Sequence, residues 1–328
     1  MRTPTGSLRN RTAAQWLGEQ QQDSATIARF WDVVLVSALG ERTDVVSMSA
    51  ARKVFMDGFA AARGASDVLV PKRPLSELFG RDLSAAVQQL GANVQTGSAA
   101  AKLALDGNRI HAVETRGGEQ FVCDHLISAV PWHAFGALAS QIGELSYQAI
   151  EKIRSSPITG LHLWLDREIT DQPHAVMVDT LSQWLFRQPF RNADSETGCY
   201  YQVVISASGR QRSWPKDELL AQVLDELRHA LPEARSANVL RSRIVTDPKS
   251  VFSLSPEVER LRPSARTPLP WFHIAGDWID TGWPATMEGA VISGRMAAAS
   301  VLESEGLAGI TIDPGLRRGL LARLMIAD

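Results

Sequence analysis

The sequence lacks the glycine signature of the commonest dinucleotide-binding unit. Its 328 residues include 24 glycines, but no two of them stand exactly two positions apart. A strand, a G-x-G-x-x-G loop and a helix, followed by an acidic residue, normally bind the pyrophosphate of a dinucleotide. The sequence therefore contains no copy of this unit, not even a disguised one.

Cysteine is also scarce. Cys123 and Cys199 are the only two, and they fit neither a disulfide framework nor a Cys-x-x-Cys or zinc spacing. We expect buried or inert thiols in a reducing compartment and no metal site.

Long apolar runs and a strong net charge are absent too. No stretch approaches the roughly 18 apolar residues that cross a bilayer, and the first residues have no apolar core of a secretory signal. The net charge is −2, from 34 basic and 36 acidic residues. No basic cluster is interleaved with aromatic residues, so nothing predicts nucleic-acid binding. We expect a soluble or peripheral protein of the cytoplasm.

The hydrophobic pattern begins with helices only. Thr12 is a candidate N-cap, either Asp23 or Ser24 is a second one, and Gly40 is a candidate helix stop. Short strands are then predicted around 93–96, 101–105, 110–115 and 121–129, with hairpin turns over residues 106–108 and 116–118. A later buried strand ends at Gly276, and a helix is predicted over 285–302.

Two kinds of segment therefore interleave along the chain. We predict an α/β fold of the α+β two-domain type, in which each domain is discontinuous. One predicted domain comprises residues 72–132 and 268–303. The other comprises residues 1–71 and 133–267, and residues 304–328 form a C-terminal tail.

The most specific stretch is FHIAGDWIDTGWPATMEGAVISGR, over residues 272–295. Gly276 lets a ligand approach the backbone closely, and Asp277 can accept hydrogen bonds from ribityl or ribose hydroxyls. The unpaired N–H groups that begin the next helix favour an anionic group. A packed strand, turn and helix without a ligand is the alternative. A seam for close helix packing is predicted at Ala290, Gly294 and Ala298.

The block AGDWIDTGWPATMEGAVISGRMAA resembles the C-terminal flavin motif of the amine-oxidase and phytoene-desaturase superfamily. More narrowly, it resembles the squalene-associated hydroxysqualene dehydroxylases of hopanoid synthesis. The blocks SDVLVPKRPLSELF, CDHLISAVPWHAF and RTPLPWFHIAGDW fall in the family's order, and the resemblance covers residues 10–303. It implies an incomplete, Rossmann-like FAD-binding domain (72–132 and 268–303) interleaved with a helical and mixed β-sheet substrate domain (1–71 and 133–267).

The resemblance also implies which residues contact FAD. Gly276 and Asp277 would contact its ribityl and pyrophosphate part. N–H groups at the start of the following helix would face the flavin pyrimidine edge and stabilise negative charge on the reduced flavin. The backbone near 93–100 would meet the adenine. The full set of implied cofactor contacts is Gly276, Asp277, Trp283, Pro284, Thr286, Met287 and Glu288.

The sequence differs from this family in that it lacks the glycine-rich unit. Without it, we expect fewer sheet strands, exposed apolar edges and weak retention of FAD. Three explanations stay open: a misassigned start, a split or truncated gene, or a shorter chain with another function.

The implied reaction is reductive removal of an allylic hydroxyl from a C30 isoprenoid, which gives squalene. The helical face formed by Phe30, Trp31 and Val34 is the candidate substrate pocket, and ordinary helical core is the alternative. Asp280 is the candidate general acid. The alternative is that it is an ordinary surface aspartate in a turn. His133 is a second candidate.

A lipid substrate suggests peripheral membrane contact. The tail PGLRRGLLARLMIAD, with Arg317, Arg318 and Arg323, is a candidate interfacial helix. A docked C-terminal helix or a frayed end is the alternative. Two other functions stay open: an amine oxidase or carotenoid-type desaturase of the same superfamily, or a flavin-free remnant without catalysis.

Overall fold

The computed structural model describes residues 5–143, 148–187, 198–313 and 318–325. The chain forms two compact units. Unit 1 comprises Met1–Ala62, Ile153–Leu261 and Arg318–Asp328, and unit 2 comprises Arg63–Lys152 and Arg262–Arg317. Among the described residues, no helix is both long enough and apolar enough to span a bilayer.

The helices of the described residues are mostly short. The α-helices are α1 (Thr5–Leu8), α2 (Ala13–Glu19), α3 (Ser24–Thr26), α4 (Asp32–Leu39), α5 (Met48–Lys53), α6 (Leu83–Gln89), α7 (Trp132–Ala139), α8 (Lys216–Ala230), α9 (Pro256–Leu261), α10 (Met287–Ser304) and α11 (Leu320–Met325). Segments of π-helix are Ile27–Trp31, Val54–Phe59 and Ser76–Asp82. Turns of 3-10 helix are Gln148–Lys152, Gln211–Ser213 and Pro232–Ser236.

The strands form three separate sheets. They are β1 (Ala100–Asp106), β2 (Arg109–Thr115), β3 (Gln120–Val122), β4 (Leu126–Ser128), β5 (Ser155–Leu165), β6 (His174–Val176), β7 (Trp184–Arg187), β8 (Cys199–Ser206), β9 (Val239–Phe252) and β10 (Phe272–Ile274).

Unit 1 is built on one antiparallel sheet in the order β6-β7-β8-β5-β9. Side chains of β5 alternate between the two faces, as the period of a strand requires. One face packs against α8 and forms the apolar core of the unit. Its fully buried members are Leu161, Leu163, Ile169, Tyr201, Val203 and Val223.

Helix ends in unit 1 follow local signals. Thr12 and Gln15 form a capping box at the start of α2, with N–H to side-chain oxygen distances of 3.3 and 2.9 Å. Asp23 Oδ1 accepts from the N–H of Thr26 at 2.8 Å, and Gly40 ends α4 with φ +69°. The three predicted helix ends are confirmed.

Unit 2 holds the two smaller sheets. Strands β1, β2 and β3 form an antiparallel sheet, with hairpin turns at Gly107 (φ +58°) and Gly118 (φ +85°). Strands β4 and β10 form a parallel pair in which Ile274 lies opposite Ser128. Helix α10 packs against β10.

Two strand predictions are wrong. Residues 93–96 form no strand and are exposed, because no strand among the described residues pairs with them to complete a ladder. The predicted strand over 121–129 is two strands in different sheets. Cys123 N–H still bonds the carbonyl of His111, but Leu126 N–H bonds the carbonyl of Trp271, so the chain changes partner in between.

The unit boundaries differ from the predicted domain boundaries. Residues 133–152 lie in unit 2, because the segment from α7 onward packs on that unit. Gln141 Oε1 accepts from the N–H of Leu103 at 2.9 Å, and Phe135 stacks on Phe272 with ring centroids 6.2 Å apart. The assignment of FAD-binding and substrate roles to the two segment sets stays a prediction.

Candidate functional site

The Gly-Asp turn begins where the two parallel strands of unit 2 end. Strand β10 ends at Ile274, and the N–H of Ala275 donates to the carbonyl of Ser128 at 2.9 Å. Ligands of parallel α/β sheets bind beyond the carboxyl ends of the strands. Gly276 and Asp277 therefore lie at the edge of this sheet where a ligand site is expected.

Only glycine fits at position 276. Its φ is +142°, which side-chain-bearing residues rarely adopt. A Cβ atom there would lie 2.6 Å from Cδ1 of Trp278 and closer still to Nε1. Trp278 is fully buried, and its Nε1–H donates to the carbonyl of Val130 at 3.1 Å. The indole ring thus packs directly against the backbone of the turn at Gly276.

Arg262 holds the next part of the turn. Its guanidinium is buried and donates to the backbone carbonyls of Asp277 at 3.0 Å, of Trp278 at 3.3 Å and of Ile279. Sequence reasoning missed this residue, because no local pattern connects it to a turn 15 residues further along the chain.

The carboxyl group of Asp277 is perturbed. Burial raises its pKa, and the positive charge of Arg262 opposes that rise. A partly buried carboxylate is an acceptor that gains from a ligand hydroxyl, because it has lost water partners. Asp277 can therefore hold a polyhydroxyl group, as the sequence predicts.

Thr286 begins the helix that follows the turn. Its Oγ1 accepts from the N–H of Gly289 at 3.1 Å, so α10 starts at Met287, two residues later than predicted. A Cβ atom at Gly289 would lie 2.9 Å from the carbonyl oxygen of Pro284, which shows how closely the loop crosses the helix. Met287 is 69% exposed and Glu288 is partly buried at the helix N-terminus.

The predicted small-residue seam is wrong by one position. Ala290 is exposed, whereas the buried seam of α10 is formed by Gly289, Ser293 and Ala297. Both sets have small side chains spaced by four, so only the packing against β10 decides which faces inward. Ser293 Oγ accepts from the N–H of Gly276 at 2.8 Å and donates to the carbonyl of Ala290 at 2.6 Å.

The remaining predicted residues of the loop lie in tight turns. Asp280 Oδ1 accepts from the N–H of Gly282 at 3.3 Å, and Trp283 N–H donates to Oγ1 of Thr281 at 3.2 Å. Pro284 is buried. The general-acid role of Asp280 stays a prediction. His133 is exposed and contacts Trp132 edge-on, with ring centroids 5.1 Å apart.

The predicted substrate face belongs to unit 1 and is not its core face. Phe30 is 51% exposed, and Trp31 and Val34 are partly buried. The side of α4 that packs into the unit carries Leu35 and Leu39 instead. Aromatic rings that stay partly exposed can contact an apolar ligand. The substrate-pocket role of this face stays a prediction.

The family model for flavin-containing amine oxidoreductases matches residues 8–302. The chain belongs to this family. It is therefore a member of an oxidoreductase family, and FAD is the cofactor of that family. Its fold mixes helices and sheets.

Curated relatives of this family include isoprenoid enzymes. A 15-cis-phytoene desaturase of Narcissus pseudonarcissus is 29% identical over 238 residues, which cover 66% of this chain and 40% of the desaturase. A hydroxysqualene dehydroxylase of Rhodopseudomonas palustris is 28% identical over 276 residues, which cover 82% of this chain and 61% of that enzyme. The chain thus spans less than two thirds of the length of either relative.

Solved structures show the same fold at low identity. Cyclohexylamine oxidase from Brevibacterium oxydans has a TM-score of 0.61 at 17% identity, covering 93% of this chain and 70% of the oxidase. An oxidoreductase from Methanosarcina mazei has a TM-score of 0.62 at 15% identity, with 90% and 70% covered. These likenesses concern the fold alone.

The turn in unit 2 fits part of an FAD molecule. Ser128 Oγ is buried at the end of β4 and has no hydrogen-bond partner among the described residues. A hydroxyl or phosphate oxygen of a ligand beside Gly276 would satisfy it. Asp277 and the N-terminus of α10 add an acceptor and a region favourable to negative charge. The adenine contact stays a prediction, because residues 93–96 form no strand and β1 begins only at Ala100.

Proposed function

We propose that this chain acts in an FAD-dependent oxidoreductase whose substrate is an isoprenoid lipid. Within that class we propose hydroxysqualene dehydroxylase activity, the reductive removal of an allylic hydroxyl from a C30 isoprenoid to give squalene. The observation that carries the proposal is the extent of similarity. The hydroxysqualene dehydroxylase relative matches 82% of this chain, against 66% for the phytoene desaturase at nearly equal identity.

The residues of the turn would hold the cofactor. Asp277 would accept hydrogen bonds from its hydroxyl groups, and Gly276 would allow close approach of the backbone. Ser128 Oγ would gain the hydrogen-bond partner that it lacks among the described residues. The bound cofactor would supply the hydride equivalent for the allylic carbon.

The chain must also help the hydroxyl group to leave. Asp280 is the proposed proton donor, and the hydroxyl would depart as water. Asp280 Oδ1 already accepts from the N–H of Gly282 at 3.3 Å, so its side chain has a defined orientation in the loop. Substitution of Asp280 by Asn removes the acid and keeps that acceptor, so it separates catalysis from loop structure.

A water-insoluble substrate favours delivery at a membrane surface. We therefore propose peripheral membrane contact at the cytoplasmic side. The tail residue Arg318 bonds Asp57 at 3.0 Å and the N–H of Gly319 bonds the carbonyl of Ala61 at 2.7 Å, so this part of the tail docks on unit 1. Arg317 lies outside the described residues.

The experiment uses the full chain with excess FAD under anaerobic, reducing conditions and hydroxysqualene as substrate. We expect squalene formation, lost in Asp280→Asn and retained in the exposed control Asp106→Asn. FAD binding is measured separately by quenching of flavin fluorescence. We expect Asp277→Asn to weaken it about tenfold, because the amide oxygen still accepts the hydrogen bond but no longer carries the charge that strengthens it.

Three other outcomes would contradict the proposal. Desaturation of phytoene by oxidised enzyme without hydroxysqualene turnover would favour the desaturase alternative. Amine turnover would favour an amine oxidase. Failure to bind FAD at any concentration, with no turnover, would favour a chain without flavin chemistry.

A further inference from the structure

Unit 1 contains a cavity of about 160 Å³ that is separate from the Gly-Asp turn in sequence and lies wholly within that unit. Three aromatic side chains, Trp16, Trp31 and Phe55, form much of its wall. Two methionines and a leucine complete the apolar lining: Met48, Met56 and Leu8. Arg52 is the one charged residue among those that line it.

Two π-helical segments create this wall. Trp31 is the last residue of the segment Ile27–Trp31, and Phe55 and Met56 belong to Val54–Phe59. The rings of Trp31 and Phe55 meet edge to face with centroids 4.8 Å apart. Wide π-helical turns are rare and concentrate at functional sites. Their convergence on one cavity indicates that the cavity is built and is not a packing defect.

The polar atom of Trp31 points to a protein partner. Its Nε1–H donates to Oε1 of Gln22 at 3.1 Å. The indole therefore needs no polar ligand, and it offers its apolar surface to the cavity. Methionine side chains beside it can adapt to a branched apolar group, because the thioether is flexible and polarizable.

The cavity volume suits a small branched hydrocarbon. A well-studied engineered cavity of about 150 Å³ in another protein, lined by apolar residues, stays dry and binds benzene. A cavity of about 160 Å³ can likewise take a group of five or six carbons. The terminal dimethylallyl unit of an isoprenoid chain has five carbons and no polar atom.

Two exposed aromatic rings lie next to the cavity wall. Phe30 stacks on Phe55 with ring centroids 6.2 Å apart, and Phe59 contacts Phe55 in a tilted arrangement with centroids 5.6 Å apart. Both are largely exposed, at 51% and 45%. Exposed aromatic rings beside an apolar cavity can cover the carbons that follow a bound chain end.

We propose that this cavity binds the terminal dimethylallyl group of an isoprenoid substrate, with Phe30 and Phe59 covering the next part of the chain. The site would hold one end of the substrate chain. The choice of an isoprenoid rests on the proposed function, whereas the binding of a five-carbon apolar group rests on the cavity alone.

The test uses 2-methyl-2-butene, which has the carbon skeleton of that terminal group, as the probe. Binding to the full chain is followed by tryptophan fluorescence and by the rise in melting temperature with probe concentration. We expect saturable binding to the natural protein. Met56→Phe fills the cavity, and binding should fall below detection. The control Leu240→Phe adds a ring to an exposed position of β9 and should bind normally.

A second variant works in the opposite direction. Trp16→Phe enlarges the cavity, and we expect it to bind cyclohexane, a larger probe, more tightly than the natural protein does. Absence of saturable binding to the natural protein would overturn the proposal. Binding that persists in Met56→Phe, or no gain in Trp16→Phe, would overturn it as well.

A substrate measurement separates this inference from the proposed function. In the FAD-supplemented protein, Met56→Phe should raise KM for the long isoprenoid and leave kcat unchanged, since the cavity contributes to substrate binding and not to the chemical step. If the protein turns over no isoprenoid but binds the probe as described, the proposed function fails and the cavity site stands. If turnover occurs with unchanged KM in Met56→Phe, the cavity site fails and the function stands.

Discussion

Arg262 donates a hydrogen bond from Nη2 to the backbone carbonyl of Asp277 at 3.0 Å, and not to its carboxylate. The same guanidinium bonds the carbonyls of Trp278 and Ile279. One buried cation thus fixes three consecutive carbonyls and leaves the carboxyl group of Asp277 available to a ligand. Its charge still acts on that carboxyl group and limits the rise in pKa that burial causes.

Replacement of Arg262 by Met keeps the apolar stem and removes the donors. Because the carbonyls would lose their charged partner in a buried place, we expect a loss of about 3 kcal/mol in the free energy of unfolding, measured in urea. The matched control is Arg266→Met. Arg266 pairs with Glu303 at 3.4 Å on the surface, and its loss should cost less than about 0.5 kcal/mol. Equal effects of the two substitutions would contradict this role of Arg262.

Asp277→Asn should stabilise the protein at pH 7 while it weakens cofactor binding. The folded pKa is raised above its ordinary value of 3.8, so the folded state binds the proton more tightly than the unfolded state. The group's contribution is most favourable below pH 3.8 and is lost as the pH rises through the folded pKa. Asparagine removes this loss. Melting temperatures at pH 3.5 and 7 test the sign, and a variant that melts lower than the natural protein at pH 7 would refute it.

Gly276→Ala should destabilise unit 2 by about 2–4 kcal/mol, because it combines backbone strain with overlap of Trp278. Gly282→Ala provides the control. Gly282 also has a positive φ, +75°, but no atom lies within 4 Å of an added Cβ. It should therefore show the strain alone, about 1 kcal/mol. Urea unfolding measures both, and a difference near zero would show that Trp278 moves aside without cost.

His273 should make stability fall in mild acid. It is buried in β10, with Nε2 3.4 Å from Nδ1 of His125 and Nδ1 3.0 Å from Oγ of Ser300. Burial lowers its pKa below 6.5, and the charges of His125 and Arg266 lower it further. The unfolded state then binds the proton more tightly. Stability is fully present above pH 6.5 and declines as the pH falls through the folded pKa.

The variant His273→Gln removes this titration. We expect a flatter dependence of melting temperature on pH below 6.5 in this variant than in the natural protein. The neighbouring His125 contacts His273 through Nδ1 and Oε1 of Glu305 through Nε2, the latter at 2.8 Å. The variant His125→Gln therefore measures how much of the pH dependence comes from the contact between the two histidines. An unchanged slope in His273→Gln would contradict the assignment.

Local signals in the sequence were sufficient for the helix ends. The cap at Thr12, the cap at Asp23 and the stop at Gly40 each depend on residues within one or two turns, so the pattern contains the whole interaction. The hairpins around Gly107 and Gly118 were predictable for the same reason. The strand predicted over 93–96 failed, because a strand needs a partner from elsewhere in the chain.

The candidate site divides in the same way. Gly276 and Asp277 stand out in the sequence, since a glycine and a carboxylate at the end of a buried strand have a clear chemical use. Arg262, Ser128 and Ser293 do not stand out. Arg262 bonds the carbonyl of Asp277, 15 positions away, and Ser293 accepts from the N–H of Gly276, 17 positions away. Ser128 Oγ has no hydrogen-bond partner among the described residues.

By itself, the sequence determined the family, the helix ends and the position of the Gly-Asp turn, because these depend on adjacent residues and on a contiguous motif. The tertiary structure alone decided which small residues of α10 face β10, which cation holds the turn, and that two π-helical segments enclose an apolar cavity. Those features depend on which surfaces meet in the folded chain, and residue spacing along one segment does not specify its partner.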